Sequence, residues 1–147
     1  MQEKMFKQDI KYGRIASLSN RAHVLQKIMD VIEKHYVRLK GMFYYQLAHS
    51  KNFPALSMDD VTKLCYKAKL FDKHMNMATL DKNLVATNAS INGFKNPADR
   101  ELNRYEFIEF VLRTAKSKYC DPKIYHDLSE ALGKCTFSHF ATLINFF

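Results

Sequence analysis

Four glycines and three prolines in 147 residues leave this chain few places to turn tightly. Sandwiches and barrels are built from many short strands joined by turns that draw on these two residues, so scarcity on this scale argues against them. The hydrophobic pattern agrees. No period-two run is long enough for a strand, whereas apolar residues recur every three or four positions through most of the chain. The expected fold is all-α, a single bundle of about six helices. A chain of this length buries enough surface to hold a core without disulfides or metal.

Residues 1–18 are polar and mixed and are expected as a flexible basic arm, ordering only against something else. The helical domain is expected over 19–147. A long helix starts at Ser19 or Asn20, both suited to an N-cap, and runs to about Ala48 through Val24, Ile28, Leu39, Phe43 and Leu47. Gly41 offers a place for a kink. Pro54 disfavours helical backbone at Phe53, so a loop follows. Ser57-Met-Asp-Asp60 reads as a capping box opening the next helix, and Asn103-Arg-Tyr-Glu106 as another, followed by Phe107, Ile108, Phe110, Val111 and Ala115. A further helix starts near Thr79. Asp121-Pro122 reads as N-cap and first helical residue of a helix that Gly133 ends. A last amphipathic piece carries Phe137, Phe140, Ile144 and Phe147.

The charge is +8, from 23 Lys+Arg against 15 Asp+Glu. It is uneven: residues 1–50 hold nine basic and four acidic groups, 51–100 eight and five, and 101–147 six of each. Such a balance suits an acidic partner, whether protein, lipid or nucleic acid. Its composition narrows the choice, because 17 of the 23 are Lys. Base and phosphate reading favours the planar fork of Arg. Abundant Lys, Asn, Phe, Tyr and Ile with no Trp also fits codon drift toward A and T. The candidate basic surface is Lys27, Lys34, Arg38, Lys63 and Lys67, spaced to line helix faces. It could hold phosphates without reading sequence.

The 19 aromatic residues include the cluster Phe43-Tyr44-Tyr45. Three consecutive rings on a helix cannot all face one core. Either the helix is buried on two sides, or part of the cluster meets a partner, where Tyr and Phe are enriched. The candidate partner-binding residues are Phe43, Tyr44, Tyr45, Phe137, Phe140 and Phe147.

Chemistry finds little footing. No nucleotide-binding glycine loop, nucleophile elbow or HExxH is present, and no catalytic residue, cofactor or metal is expected. Cys120, His126, Cys135 and His139 follow no spacing that belongs to a zinc fold. Three cysteines without CxxC argue against a disulfide framework. No leader-like apolar run opens the chain and none is long enough to span a membrane, so the expected setting is the cytoplasm, with the nucleus as alternative.

The junctions Leu56-Ser-Met-Asp-Asp60-Val61 and Leu102-Asn-Arg-Tyr-Glu106-Phe107 resemble the second half of an EF-hand. There an apolar residue at loop position 8 pairs with its partner loop, position 9 caps the outgoing helix and position 12 is acidic. Ligands belong at positions 1, 3 and 5, with Gly at 6. The first loop has His49, Lys51, Phe53 and Pro54 there, and the second Lys95, Pro97, Asp99 and Arg100. Calcium binding is therefore not expected, and Glu106 and Asp60 read as capping acids. The segment from about 35 to 118 is similar to degenerate EF-hand-like modules of protist ciliary and axonemal proteins. That resemblance implies a calcium-independent docking groove in a larger assembly, in a ciliary or microtubule-associated setting. Tubulin would then supply an acidic surface. The alternative is an accessory subunit of a nucleic-acid-binding or nucleic-acid-modifying complex.

Overall fold

The computed structural model describes residues 2–12, 15–18, 21–89 and 101–136. They form six α-helices: α1 (Gln2–Tyr12), α2 (Ala22–Ala48), α3 (Met58–Lys67), α4 (Met77–Asn88), α5 (Arg104–Ala115) and α6 (Leu128–Lys134). A 3-10 turn, Ile15–Leu18, precedes α2, and a π-helical turn, Lys116–Cys120, continues α5. The all-α expectation holds.

Helix α2 is the spine. Its 27 residues span about 40 Å at about 1.5 Å per residue. Ile28, Ile32, Tyr36, Leu39, Met42, Phe43 and Leu47 are buried along it, at the helical spacing that the sequence displays. The helix runs through Gly41 without a break, where an added Cβ would meet nothing within 4 Å. Arg21 is the N-cap and makes no side-chain cap bond, while Ser19 and Asn20 lie outside the described residues. Helix α6 packs along α2, with Lys27 Nζ 3.6 Å from Asp127 Oδ2. Helix α5 packs against α1, α2, α4 and α6 and brings the large rings of Phe107 and Phe110 into the core.

Two expectations change. Residues 2–12 are a helix, not a flexible arm, and they order against the chain itself. Asp9 is 2% exposed. Its carboxylate accepts from Tyr36 Oη at 2.6 Å and from Arg104 Nε at 2.8 Å. The ring of Phe6 packs edge-on against Tyr36, with centroids 5.5 Å apart. Ion pairing across 95 residues leaves no local trace in the sequence around Asp9.

The second change concerns Asp121-Pro122, which closes a helix instead of opening one. The Asp121 N–H bonds Lys116 O at 2.9 Å, and those of Ile124 and Tyr125 both reach Tyr119 O at 2.9 Å. Helix α6 begins later, after Asp127, whose Oδ1 accepts from the Ser129 N–H at 2.9 Å. Gly133 lies inside α6, facing Val31 of α2. The C-terminal piece with Phe137, Phe140 and Phe147 falls outside the described residues.

Candidate docking surface

The two capped junctions meet. Leu56 and Leu102 form an isolated antiparallel bridge, each N–H donating to the other's carbonyl at 2.8 Å, and both side chains are fully buried. Each junction then starts a helix with a complete capping box, Ser57 with Asp60 on α3 and Asn103 with Glu106 on α5. Reciprocal caps of this kind satisfy amide donors that a helix start otherwise leaves open.

The first loop directs its acid inward. Asp60 Oδ2 accepts from Ser50 Oγ at 2.6 Å, from the Ser57 N–H at 2.9 Å and from Ser57 Oγ at 2.9 Å. Burial pushes the pKa of Asp60 up, and the bonds from Ser50 and Ser57 more than offset this, holding it below the usual carboxylate value. An oxygen engaged by three donors is poorly placed to ligate a cation. His49, at the first ligand position, instead packs on the Tyr45 ring at 4.8 Å and places Nδ1 2.9 Å from Tyr45 O. Phe53, at the fifth, is 77% exposed. In the second loop Lys95, Pro97, Asp99 and Arg100 lie outside the described residues. Among the described residues no group of three His, Cys, Asp or Glu is gathered as for a metal.

The aromatic cluster divides three ways, as helical geometry requires. Phe43 is 3% exposed and packs against Phe107 at 5.8 Å, so it belongs to the core and not to a partner surface. Tyr44 is 42% exposed, and its hydroxyl accepts from Arg104 Nη1 at 2.9 Å. Tyr45 is half-buried, with Lys67 Nζ of α3 lying 5.5 Å from its ring centroid. The structure thus brings two candidate residues, Tyr45 and Lys67, into one contact.

The remaining basic candidates scatter. Lys63 sits one turn before Lys67 and pairs with Asp59 at 2.7 Å. Lys27 is beside Asp127, on the side of α2 that receives α6. Lys34 is exposed and Arg38 half-buried, both near His35. Burial, then the charges of Arg38 and Lys34, hold the His35 imidazole below its usual pKa.

Tyr66 was not singled out by the sequence. It is 77% exposed on α3, between Lys63 and Lys67 on the polar side, where a lone tyrosine looks like an ordinary surface residue. Only its neighbours in space give it meaning. Val61, Leu64, Cys65 and Ala68 take the opposite side of α3 into the core.

Lys118 and Asp72 are matched to one another. Lys118, buried in the π turn, donates to Asp72 and to Leu70 O. Asp72 also accepts from the N–H groups of His74 and Met75, each at 2.8 Å. A cleft of about 300 Å³ lined by His74, Thr79, Lys82, Ser117, Asp121 and Pro122 mixes both signs of charge. Burial raises the Cys65 and Cys135 thiols to about 12, the pattern of core cysteines and not of nucleophiles. No helix among the described residues is long and apolar enough to cross a membrane.

The chain matches no known protein family, no characterised protein and no solved structure.

Proposed function

We propose that this chain is a non-catalytic helical docking module, EF-hand-like but calcium-independent, that binds an acidic protein surface within a larger assembly. A ciliary or microtubule-associated setting suits it. The observation that carries this reading is the asymmetry of residues 49–73. Their three acids, Asp59, Asp60 and Asp72, are bound by Lys63, by the Ser50 and Ser57 caps and by Lys118. Their five lysines include four, Lys51, Lys67, Lys69 and Lys73, whose side chains reach no carboxylate among the described residues. Exposed aromatic side chains stand among these cations, a combination that favours association over catalysis. Calcium independence is supported by His49 and Lys51 at ligand positions and by the bonded state of Asp60.

Nucleic-acid attachment through the same lysines is the second reading. Against it stands the use of arginine. Arg104 bonds Asp9 and Tyr44, and Arg113 lies 3.5 Å from Glu109, so two of the side chains best suited to phosphate or base forks are turned to the chain itself. Co-sedimentation with microtubules, before and after proteolytic removal of the acidic tubulin tails, tests the preferred reading. Tail-dependent, salt-sensitive binding is expected. Retention on duplex DNA or RNA, with none on microtubules, would overturn it in favour of the second. A calcium titration accompanies it, with no shift in melting temperature expected.

A further inference from the structure

We infer that the outer face of α3, formed by Lys63, Tyr66 and Lys67 and continued by Lys69, is the seat of an acidic protein segment that carries an apolar side chain. This rests on the reading of the chain as a docking module and specifies where and with what it docks. Positions 59, 63, 66 and 67 share one side of the helix by the three-and-four spacing. The other side is committed to the core through Val61, Leu64 and Cys65. Docking here therefore disturbs no packing.

Charge complementarity selects the occupant. Lys63 is neutralised by Asp59, but Lys67 and Lys69 meet no carboxylate among the described residues. Lys69 holds a positive φ of 56° just past the α3 C-cap, so the chain turns there and Lys73 follows. The ammonium of Lys67 lies over the Tyr45 ring, 5.5 Å from its centroid. Exposed ion pairs contribute little one at a time. Several carboxylates along one segment, joined to an apolar group covering Tyr66, give both charge and an anchor, and exposed tyrosines commonly serve as anchors. Single-stranded nucleic acid is the poorer fit. Stacking successive bases wants a row of open ring faces in a basic groove. The Tyr45 ring is already flanked by Lys67 and His49, which leaves Tyr66 alone at this end of α3.

The test titrates the purified chain with a short fluorescent Glu-rich peptide bearing one central Leu. A Gln-for-Glu peptide and a labelled oligo-dT serve as comparisons. The Glu peptide is expected to bind, and to weaken about tenfold or more in Tyr66→Ala and in the double variant Lys67→Glu, Lys69→Glu. Circular dichroism should be unchanged in both. Binding should also weaken as salt rises from about 50 to about 300 mM. Equal binding by wild type and variants would move the seat elsewhere and leave the docking reading standing. Failure of every acidic peptide and of microtubules alike would remove both. Tighter binding of oligo-dT through the same residues would replace the acidic segment with nucleic acid.

Discussion

Two regions of this molecule combine tyrosines with cations, to opposite ends. In the first, Tyr36, Arg104 and Asp9 join α1, α2 and α5, with the Asp9 carboxylate buried and Arg104, its side chain 20% exposed, paired to it. In the second, Tyr45, Lys67 and Tyr66 sit at the surface around α3, where the cations outnumber the acids available to them. The carboxylate makes the difference. Asp9 turns one cluster into a structural joint, and among the described residues no acid does this for Lys67. A basic composition alone does not distinguish these uses. Burial and pairing do.

The comparison breaks first at Arg104. Arg104→Ala leaves Asp9 buried with, among the described residues, only the Tyr36 hydroxyl as donor, and a broken buried pair costs about 3–5 kcal/mol. Chemical denaturation should show a loss near that range, and the amides of α1 should lose protection from hydrogen exchange. Retention of full stability would mean that α1 is not held by this joint.

A smaller loss is expected at the caps. Ser57→Ala should cost about 0.5–2 kcal/mol by thermal or urea unfolding. The same variant probes Asp60. Because its folded pKa lies below the unfolded value, its stabilising contribution is present above about pH 4 and is lost as the pH falls through the folded value. Ser57→Ala removes the hydroxyl bond to that carboxylate, together with the cap bond that Ser57 Oγ accepts from the Asp60 N–H, so stability should fall less steeply below about pH 4 than in wild type. Parallel curves would detach the carboxylate from the cap.

The smallest effect is expected on α3. Tyr66→Ala and Lys67→Ala, measured by the same unfolding assay, should each lie within about 0.5 kcal/mol of wild type, as for surface positions that hold nothing together. A loss several times larger would place these side chains among the structural contacts.

How much of this was legible depends on the range of each interaction. Ser57/Asp60 and Asn103/Glu106 were readable because a capping box is written in four consecutive residues. The buried stripe of α2 was readable for the same reason. The joint of α1 was not, since Asp9 finds Arg104 only in the folded chain. Asp121-Pro122 carries the signature of a helix start, yet the π turn before it takes up its backbone donor. Gly41 marks a possible kink, but an open helix face tolerates it and α2 continues. Of the candidate surface, Tyr45 and Lys67 were named separately and meet only in three dimensions. Phe43 was named with them and belongs to the core. Tyr66 has no local signature, because a tyrosine on the polar side of a helix looks like any solvated residue.

The proposed docking places an acidic segment on α3 while the polar joint of Asp9, Tyr36 and Arg104 stays intact. Amide chemical-shift mapping of the labelled chain against the Glu-rich peptide tests it most directly. Saturating, salt-sensitive shifts confined to residues 45–73, with Asp9, Tyr36 and Arg104 unmoved, are the predicted result. Shifts centred on α1 and α5 with α3 silent would contradict it.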